Sequence, residues 1–332
     1  MPSWNDLLLE MDRQPSDESK AAWLNASMVE ALTNVGALRS SSPDRHRNVV
    51  LYASGFLQKP AVPAELTMIT HEDLNGLMGV IYKMDCSRGL TLILHTPGGV
   101  TNAAESVVAY LRSKFPDVEV IVPALAMSAG TMISLGANRI IMGRQSQLGP
   151  IDPQMSLPGG RTVSARAVVE QFSRARDDVL SNPVSAHIWA PIVQSLGPAL
   201  LQEADNALQY SEDMVARWLT TWMLGGNDSE GTAGHTIAAH FNDANKHKSH
   251  GRRIDRDEAR TQGVIVEDLE NSQELQEAVL TAYHLMTIMF ERSQATKVIM
   301  SDAGRIWLKN FIVAAPAALP PVAGPTAELP TL

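Results

Sequence analysis

The chain has 332 residues, of which 45% are hydrophobic and 19% are charged, the composition of a soluble globular protein with one large or two modest domains. Its net charge of −9 provides no basic surplus for phosphate contacts, so nucleic acid is not an expected partner. The single cysteine, Cys86, excludes a disulfide framework within the chain, and no signal peptide or run of about 20 apolar residues is recognisable, which predicts a cytoplasmic protein without an integral membrane segment.

Strands and helices are predicted to alternate along the first half of the chain. Residues 1–35 have the apolar spacing of one or two helices, and residues 39–48 are polar enough for a loop. Short apolar runs predict strands at 49–53, 90–94, 118–122 and 139–142, with helical patterns between them at 71–84, 102–115 and 128–135. This alternation indicates an α/β fold with a parallel, layered sheet, in which ligands bind beyond the carboxyl ends of the strands. After residue 153 the pattern is mostly helical.

Two motifs follow neighbouring predicted strands. Residues 96–99 read Thr-Pro-Gly-Gly shortly after the strand at 90–94, and residues 126–130 read Ala-Met-Ser-Ala-Gly after the strand at 118–122. Glycines leave backbone N–H groups free to hold an oxyanion, and a serine at the start of a helix is placed to act as a nucleophile. The two motifs together predict acyl-transfer chemistry at one edge of the sheet.

The order of these motifs resembles the Clp protease/crotonase superfamily over residues 90–154. More narrowly, the motif at 126–130 and Leu-Gly-Pro-Ile-Asp-Pro-Gln at 148–154 are similar to the signal peptide peptidase A-like proteins of the serine dehydrogenase proteinase family. A weaker similarity continues through residues 250–254 and 257–264, the stretch that closes the fold in these peptidases. The resemblance implies a ClpP/crotonase-like layered parallel sheet with helices, plus a mainly helical C-terminal region.

The resemblance also implies roles for residues of both motifs. Ser128 would be the nucleophile, and the backbone N–H groups of Gly99 and Ala129 would form the oxyanion hole. Gly98 and Val100 would border the bound substrate. Physical chemistry agrees, because a serine at a helix N-terminus lies where free amides favour negative charge, and glycine allows a substrate backbone to approach closely. The alternative is that Ser128 is a helix cap and the glycines form a turn.

The general base departs from both patterns of the superfamily. The Ser-His-Asp form would place its histidine near Asp152, and the Ser-Lys form would place a lysine some 40–50 residues after the serine, whereas the first lysine here is Lys246. Downstream of Ser128, the candidate bases are concentrated in the segment 246–250, which contains two lysines and two histidines. One hypothesis is a triad with two positions exchanged, in which His250 is the base and Asp152 orients it. A dyad of Ser128 with Lys248 competes, and a solvated polar loop is the third interpretation.

We predict four segments along the chain. They are an N-terminal helical extension at 1–47, a ClpP/crotonase-like peptidase domain at 48–270, a C-terminal helical region at 271–313 and a disordered Ala/Pro-rich tail at 314–332.

The sequence therefore predicts a serine endopeptidase that acts on a protein or peptide substrate. No cofactor is expected, and no metal is expected because the spacing of the histidines near residues 235–250 matches no compact ligand pattern. His95, next to the first motif, is interpreted as a structural histidine. The superfamily resemblance implies a homo-oligomer. Two alternative functions are a non-catalytic ClpP-like scaffold that has lost its base and a crotonase-like acyl-CoA enzyme that uses the same oxyanion hole.

Overall fold

A computed structural model describes residues 2–40, 45–157, 159–228 and 230–312. The strands are β1 (Asn48–Ser54), β2 (Leu90–His95), β3 (Val118–Val122), β4 (Leu125–Ala126), β5 (Arg139–Met142), β6 (Gln147–Leu148), β7 (Gln154–Ser156), β8 (Thr162–Ser164), β9 (Val266–Asp268), β10 (Ala295–Ser301) and β11 (Ile306–Asn310). The helices are α1 (Trp4–Asp12), α2 (Asp17–Leu38), α3 (Asp73–Ile81), α4 (Thr101–Lys114), α5 (Ala129–Leu135), α6 (Ala165–Ser181), α7 (Ala186–Leu196), α8 (Leu200–Trp218), α9 (Thr232–Asn242), α10 (Ala244–His247), α11 (Arg256–Thr261) and α12 (Gln273–Arg292).

The central sheet has seven strands in the order β11-β10-β1-β2-β3-β5-β9. Within this sheet β1, β2, β3, β5 and β9 run parallel to one another, with helices in the connections between them, whereas β10 is antiparallel to both β1 and β11. β1, β2 and β3 are buried along their whole length, which explains their continuous apolar sequences. The four predicted strands correspond to β1, β2, β3 and β5, and the predicted α/β class with a layered, mostly parallel sheet is confirmed.

Each face of the sheet is covered by its own layer of helices. Side chains alternate along β1, so Val50 and Tyr52 pack on the layer of α3, α4 and α5, while Val49 and Leu51 pack on the layer of α1, α2 and α12. The N-terminal helices and α12 therefore share one hydrophobic core. The four-segment division stays a prediction, although its first and third segments pack together on this face.

The region 271–313 is not helical throughout. Helix α12 matches the expected helix, but β10 and β11 follow it and extend the sheet past β1. Strand β10 was not predicted because Lys297 interrupts its apolar run, and β11 was not predicted because it is short and half-exposed. The predicted tail at 314–332 lies outside the described residues. Among the described helices, none is long and apolar enough to cross a membrane.

Candidate active site

The turn after β2 lies directly against Ser128. Gly98 has φ +101°, a left-handed conformation that glycine adopts without a steric penalty. A Cβ added at Gly98 would lie 2.7 Å from both the Met127 carbonyl oxygen and the Ser128 Cβ. Glycine at this position is therefore required for the two motifs to approach each other as closely as they do.

Ile69 fixes which way the Gly99 amide points. The Ile69 N–H donates to the Gly98 carbonyl at 2.8 Å, and the Val100 N–H donates to the Ile69 carbonyl at 3.0 Å. The Gly99 N–H shares a trans peptide group with the Gly98 carbonyl and points the opposite way, so it faces away from Ile69. Neither the Gly99 N–H nor the Ala129 N–H donates a hydrogen bond to any other described residue. Both amides are thus free to hold an oxyanion.

Ser128 precedes α5 in a strained backbone conformation. Its φ of 52° and ψ of −116° are rare for a residue with a side chain, and strain of this kind costs about 1–3 kcal/mol and is concentrated at functional sites. Its side chain makes no capping hydrogen bond with the described helix residues, which disfavours the interpretation of Ser128 as a helix cap. Thr131 stabilises the segment, because its hydroxyl donates to the Ala126 carbonyl at 2.7 Å and accepts from the Gly149 N–H at 2.9 Å.

His250 and Asp152 form a hydrogen-bonded pair beside this segment. The His250 Nδ1 lies 2.8 Å from the Asp152 Oδ1, and the Gln154 side-chain amide donates to the other carboxylate oxygen at 2.7 Å. Asp152 is 2% exposed. With the carboxylate oxygen as acceptor, Nδ1 is the donating nitrogen of His250, and in that tautomer of the neutral imidazole Nε2 is the acceptor. The two loops meet because Leu148 and Ile254 form an antiparallel bridge with both hydrogen bonds at 2.9 Å.

One pocket of about 430 Å³ is lined by four of the eight predicted site residues. Ser128, Gly98, Gly99 and His250 line it, whereas Val100 and Lys248 are not among its lining residues. The other lining residues are Phe56, Lys59, Pro60, Val62, Ala64, Thr67, Met68, Pro97 and Gln154. The wall formed by the segment 56–68 was not predicted from the sequence. Its two prolines, which are typical of an ordered loop, were the signal that could have indicated it.

The remaining bases of the segment 246–250 have other partners or positions. The Lys246 ammonium lies 3.0 Å from His240 Nδ1, and the His247 Nε2 donates to the His240 carbonyl at 2.7 Å. Lys248 ends α10 in a left-handed conformation, with φ 63°. Within this described segment, His250 is therefore the candidate base that faces the pocket.

His95 is buried at the end of β2 and has structural contacts. Its Nδ1 accepts from the Leu125 N–H at 3.4 Å, and its ring lies 5.1 Å from the Phe56 ring and 5.3 Å from the Tyr283 ring. Burial lowers the pKa of His95 from 6.5 to about 4, so the imidazole is neutral near pH 7. Among the described residues, no three His, Cys, Asp or Glu side chains are grouped to hold a metal ion.

Comparison with known families agrees with the motifs over the region that carries them. Residues 52–182 match the sequence profile of the ClpP-like SDH-type serine proteinases, so the predicted resemblance is confirmed over this region.

Two curated relatives are similar to about a third of the chain. They are the uncharacterized proteins MJ0137 and MJ1495 of Methanocaldococcus jannaschii, which are 41% identical over 110 residues and 33% identical over 111 residues. Each match covers 33% of this chain, and the chain spans only 38% and 36% of the relatives' own lengths.

Among solved structures, two mutants of the 1510-N membrane-bound stomatin-specific protease, one in complex with a substrate peptide, are 19% and 20% identical to this chain with a TM-score of 0.36 each. These matches cover 60% of this chain and 75% and 71% of the two solved chains.

Proposed function

We propose that this chain is a serine peptidase in which Ser128 is the nucleophile, His250 the general base and Asp152 the carboxylate that orients the histidine. The carrying observation is that a His–Asp pair and the free amides of two motifs converge on the pocket that Ser128 lines. His250 is thus a candidate base in a chain that has no histidine or lysine at either of the positions usual in the superfamily. It favours a peptidase over a non-catalytic scaffold.

The proposed reaction begins with transfer of the Ser128 hydroxyl proton to His250 Nε2 as the oxygen attacks the substrate carbonyl. Asp152 keeps the imidazole in the required tautomer and stabilises its positive charge. The amides of Gly99 and Ala129 receive the developing oxyanion, and each such donor typically contributes about 10²–10³-fold in turnover. His250 then gives its proton to the leaving amine, and water hydrolyses the acyl-enzyme by the same steps.

The proposed substrate is a peptide or protein chain that is cleaved internally. The pocket is lined by the segment 56–68, by Gln154 and His250 and by the Gly98–Gly99 turn, which suits an extended backbone bound beside that turn. A homo-oligomer and a cytoplasmic location remain predictions of the sequence.

Labelling with a fluorophosphonate tests the proposal, because it reports an activated serine without knowledge of the substrate. We expect the wild-type chain to be labelled on Ser128, as identified by mass spectrometry of the digested adduct, and Ser128→Ala to be unlabelled at unchanged thermal stability. Ser134→Ala is the matched control, since Ser134 lies in the same helix, donates to the Gly130 carbonyl and does not line the pocket. A wild-type chain that resists labelling would refute the peptidase proposal and favour the scaffold or the acyl-CoA enzyme.

A further inference from the structure

A buried ion pair lies behind the wall of the pocket. Lys297 of β10 is 1% exposed, and Asp73, the first residue of α3, is fully buried. The Lys297 ammonium donates to the Asp73 carboxylate, to the Met68 carbonyl at 2.8 Å and to the Thr70 hydroxyl at 3.4 Å. Burial of two charges stabilises a fold only when the surrounding hydrogen bonds are complete, and apolar residues often serve equally well.

The second oxygen of Asp73 completes the network. It accepts from the Tyr52 hydroxyl at 2.6 Å and from the Thr70 N–H at 2.8 Å. Met68 is thus held through its carbonyl and Thr70 through its amide and its hydroxyl, so both neighbours of Ile69 are fixed by the ion pair. The backbone of Ile69 has little freedom to shift or rotate between these two anchors.

Ile69 holds the segment 98–100, which carries the proposed oxyanion-hole amide of Gly99. It forms a parallel bridge with Gly99, in which it donates to the Gly98 carbonyl and accepts from the Val100 N–H. A Cβ on Gly99 would lie 2.3 Å from the Ile69 carbonyl oxygen, so the two backbones are closer than a residue with a side chain would allow. A displacement of Ile69 would therefore displace the Gly99 amide.

We propose that Lys297 and Asp73 are positioning residues, which act through Ile69 to aim the Gly99 N–H into the oxyanion hole. Neither residue lines the pocket, and the inference rests on the proposed peptidase function. The physical reason is that an oxyanion donor contributes only while it is aimed at the developing charge, and a misplacement of about 1 Å costs on the order of 10²-fold in rate.

Two variants separate positioning from stability. Lys297→Met removes the donors but leaves the buried Asp73 charge uncompensated, which lowers stability. Adding Asp73→Asn to Lys297→Met removes both charges with little change in volume and keeps an acceptor for the Thr70 N–H. We expect the double variant to recover stability but to turn over a reporter peptide about 10–10²-fold more slowly, with the loss in kcat and not in KM. Fluorophosphonate labelling of Ser128 should slow in parallel.

Arg39→Met is the matched control at the opposite end of the sheet. Arg39 forms a bidentate pair with the buried Glu119, near the amino end of β3, and does not contact the segment 68–70. We expect this variant to lose stability while the folded protein keeps the wild-type kcat. Equal kcat losses in Arg39→Met and in the double variant would overturn the positioning role.

Amide hydrogen exchange tests the same inference without reference to activity. The Ile69 and Val100 amides should exchange at least about tenfold faster in the double variant, while those of β3 keep their protection. Wild-type protection at both amides in a folded double variant, or a wild-type kcat, would refute the inference. If the double variant does not fold, Tyr52→Phe removes one donor to Asp73 and should show a smaller change of the same kind, and its absence would refute the inference equally. A wild-type chain without labelling or turnover would refute the peptidase proposal alone, since the exchange measurement still decides the positioning.

Discussion

Acid should destabilise the fold through His95, in a window set by its burial. Burial lowers the pKa of this histidine from 6.5 to about 4. Above pH 6.5 the imidazole is neutral in both the folded and the unfolded chain, so the full stability is present. As the pH falls through 6.5, His95 becomes protonated in the unfolded chain, whereas in the folded chain it stays neutral down to about pH 4. This difference lowers the free energy of unfolding by about 2 kcal/mol at pH 5 and by about 3 kcal/mol in total.

Urea unfolding at pH 7 and pH 5 measures the effect, with His95→Asn as the matched variant. The asparagine oxygen can replace Nδ1 as the acceptor for the Leu125 N–H, and it does not titrate. His95→Asn loses the ring contacts with Phe56 and Tyr283, so it starts from a lower stability. Between pH 7 and pH 5 the free energy of unfolding should fall by about 2 kcal/mol more in the wild-type chain than in the variant. The other titrating groups are common to both proteins and cancel in this comparison. Equal losses in the two proteins would show that His95 is not the group responsible.

Three further changes test the site itself. Asp152→Asn should lower kcat by about 10³–10⁴-fold with little change in KM, because the amide NH2 can donate to Nδ1, which selects the wrong tautomer, and the neutral side chain no longer stabilises the imidazolium; a wild-type kcat would remove Asp152 from the mechanism. Lys248→Ala should leave kcat within about twofold of wild type, because this lysine does not line the pocket, and a large loss would revive the Ser–Lys dyad. Gly98→Ala should abolish labelling of Ser128, whereas Gly226→Ala, at φ +73° with nothing within 4 Å, controls for backbone strain alone. Normal labelling of Gly98→Ala would contradict the close approach of the two motifs.

The central sheet could be predicted because its strands are buried on both faces. Such strands appear in the sequence as continuous apolar runs, and the helices between them have a regular period. The position of Ser128 beside Gly98 followed from the same reasoning, since parallel strands place their following turns at one edge of the sheet. The antiparallel strands β10 and β11 could not be predicted in this way, because β10 contains a lysine and β11 is half-exposed. Lys297 sits in β10 for an ion pair with Asp73, which is 224 residues away in sequence.

The pairing of His250 with Asp152 was harder to infer, because 98 residues separate them and no local pattern marks the contact. The sequence supplied the residue types and a rough position for the closing strand. It did not supply the bridge between Leu148 and Ile254, which brings the two loops together. For the same reason the choice between His250 and Lys248 stayed open. The sequence places both residues in one loop, but it does not show which of the two side chains faces Ser128.

Exchange of the histidine and aspartate positions is chemically permissible because a triad is defined by where its atoms lie and not by the order of its residues along the chain. The requirements are an Nε2 that accepts from the serine, an Nδ1–H that donates to a carboxylate, and a carboxylate that stays ionised. The Gln154 amide holds the second oxygen of Asp152 at 2.7 Å, which fixes the carboxylate plane. Asp152 is buried beneath a histidine that remains open to the pocket. The carboxylate is therefore sheltered from solvent while the base can reach the substrate, as general base catalysis requires.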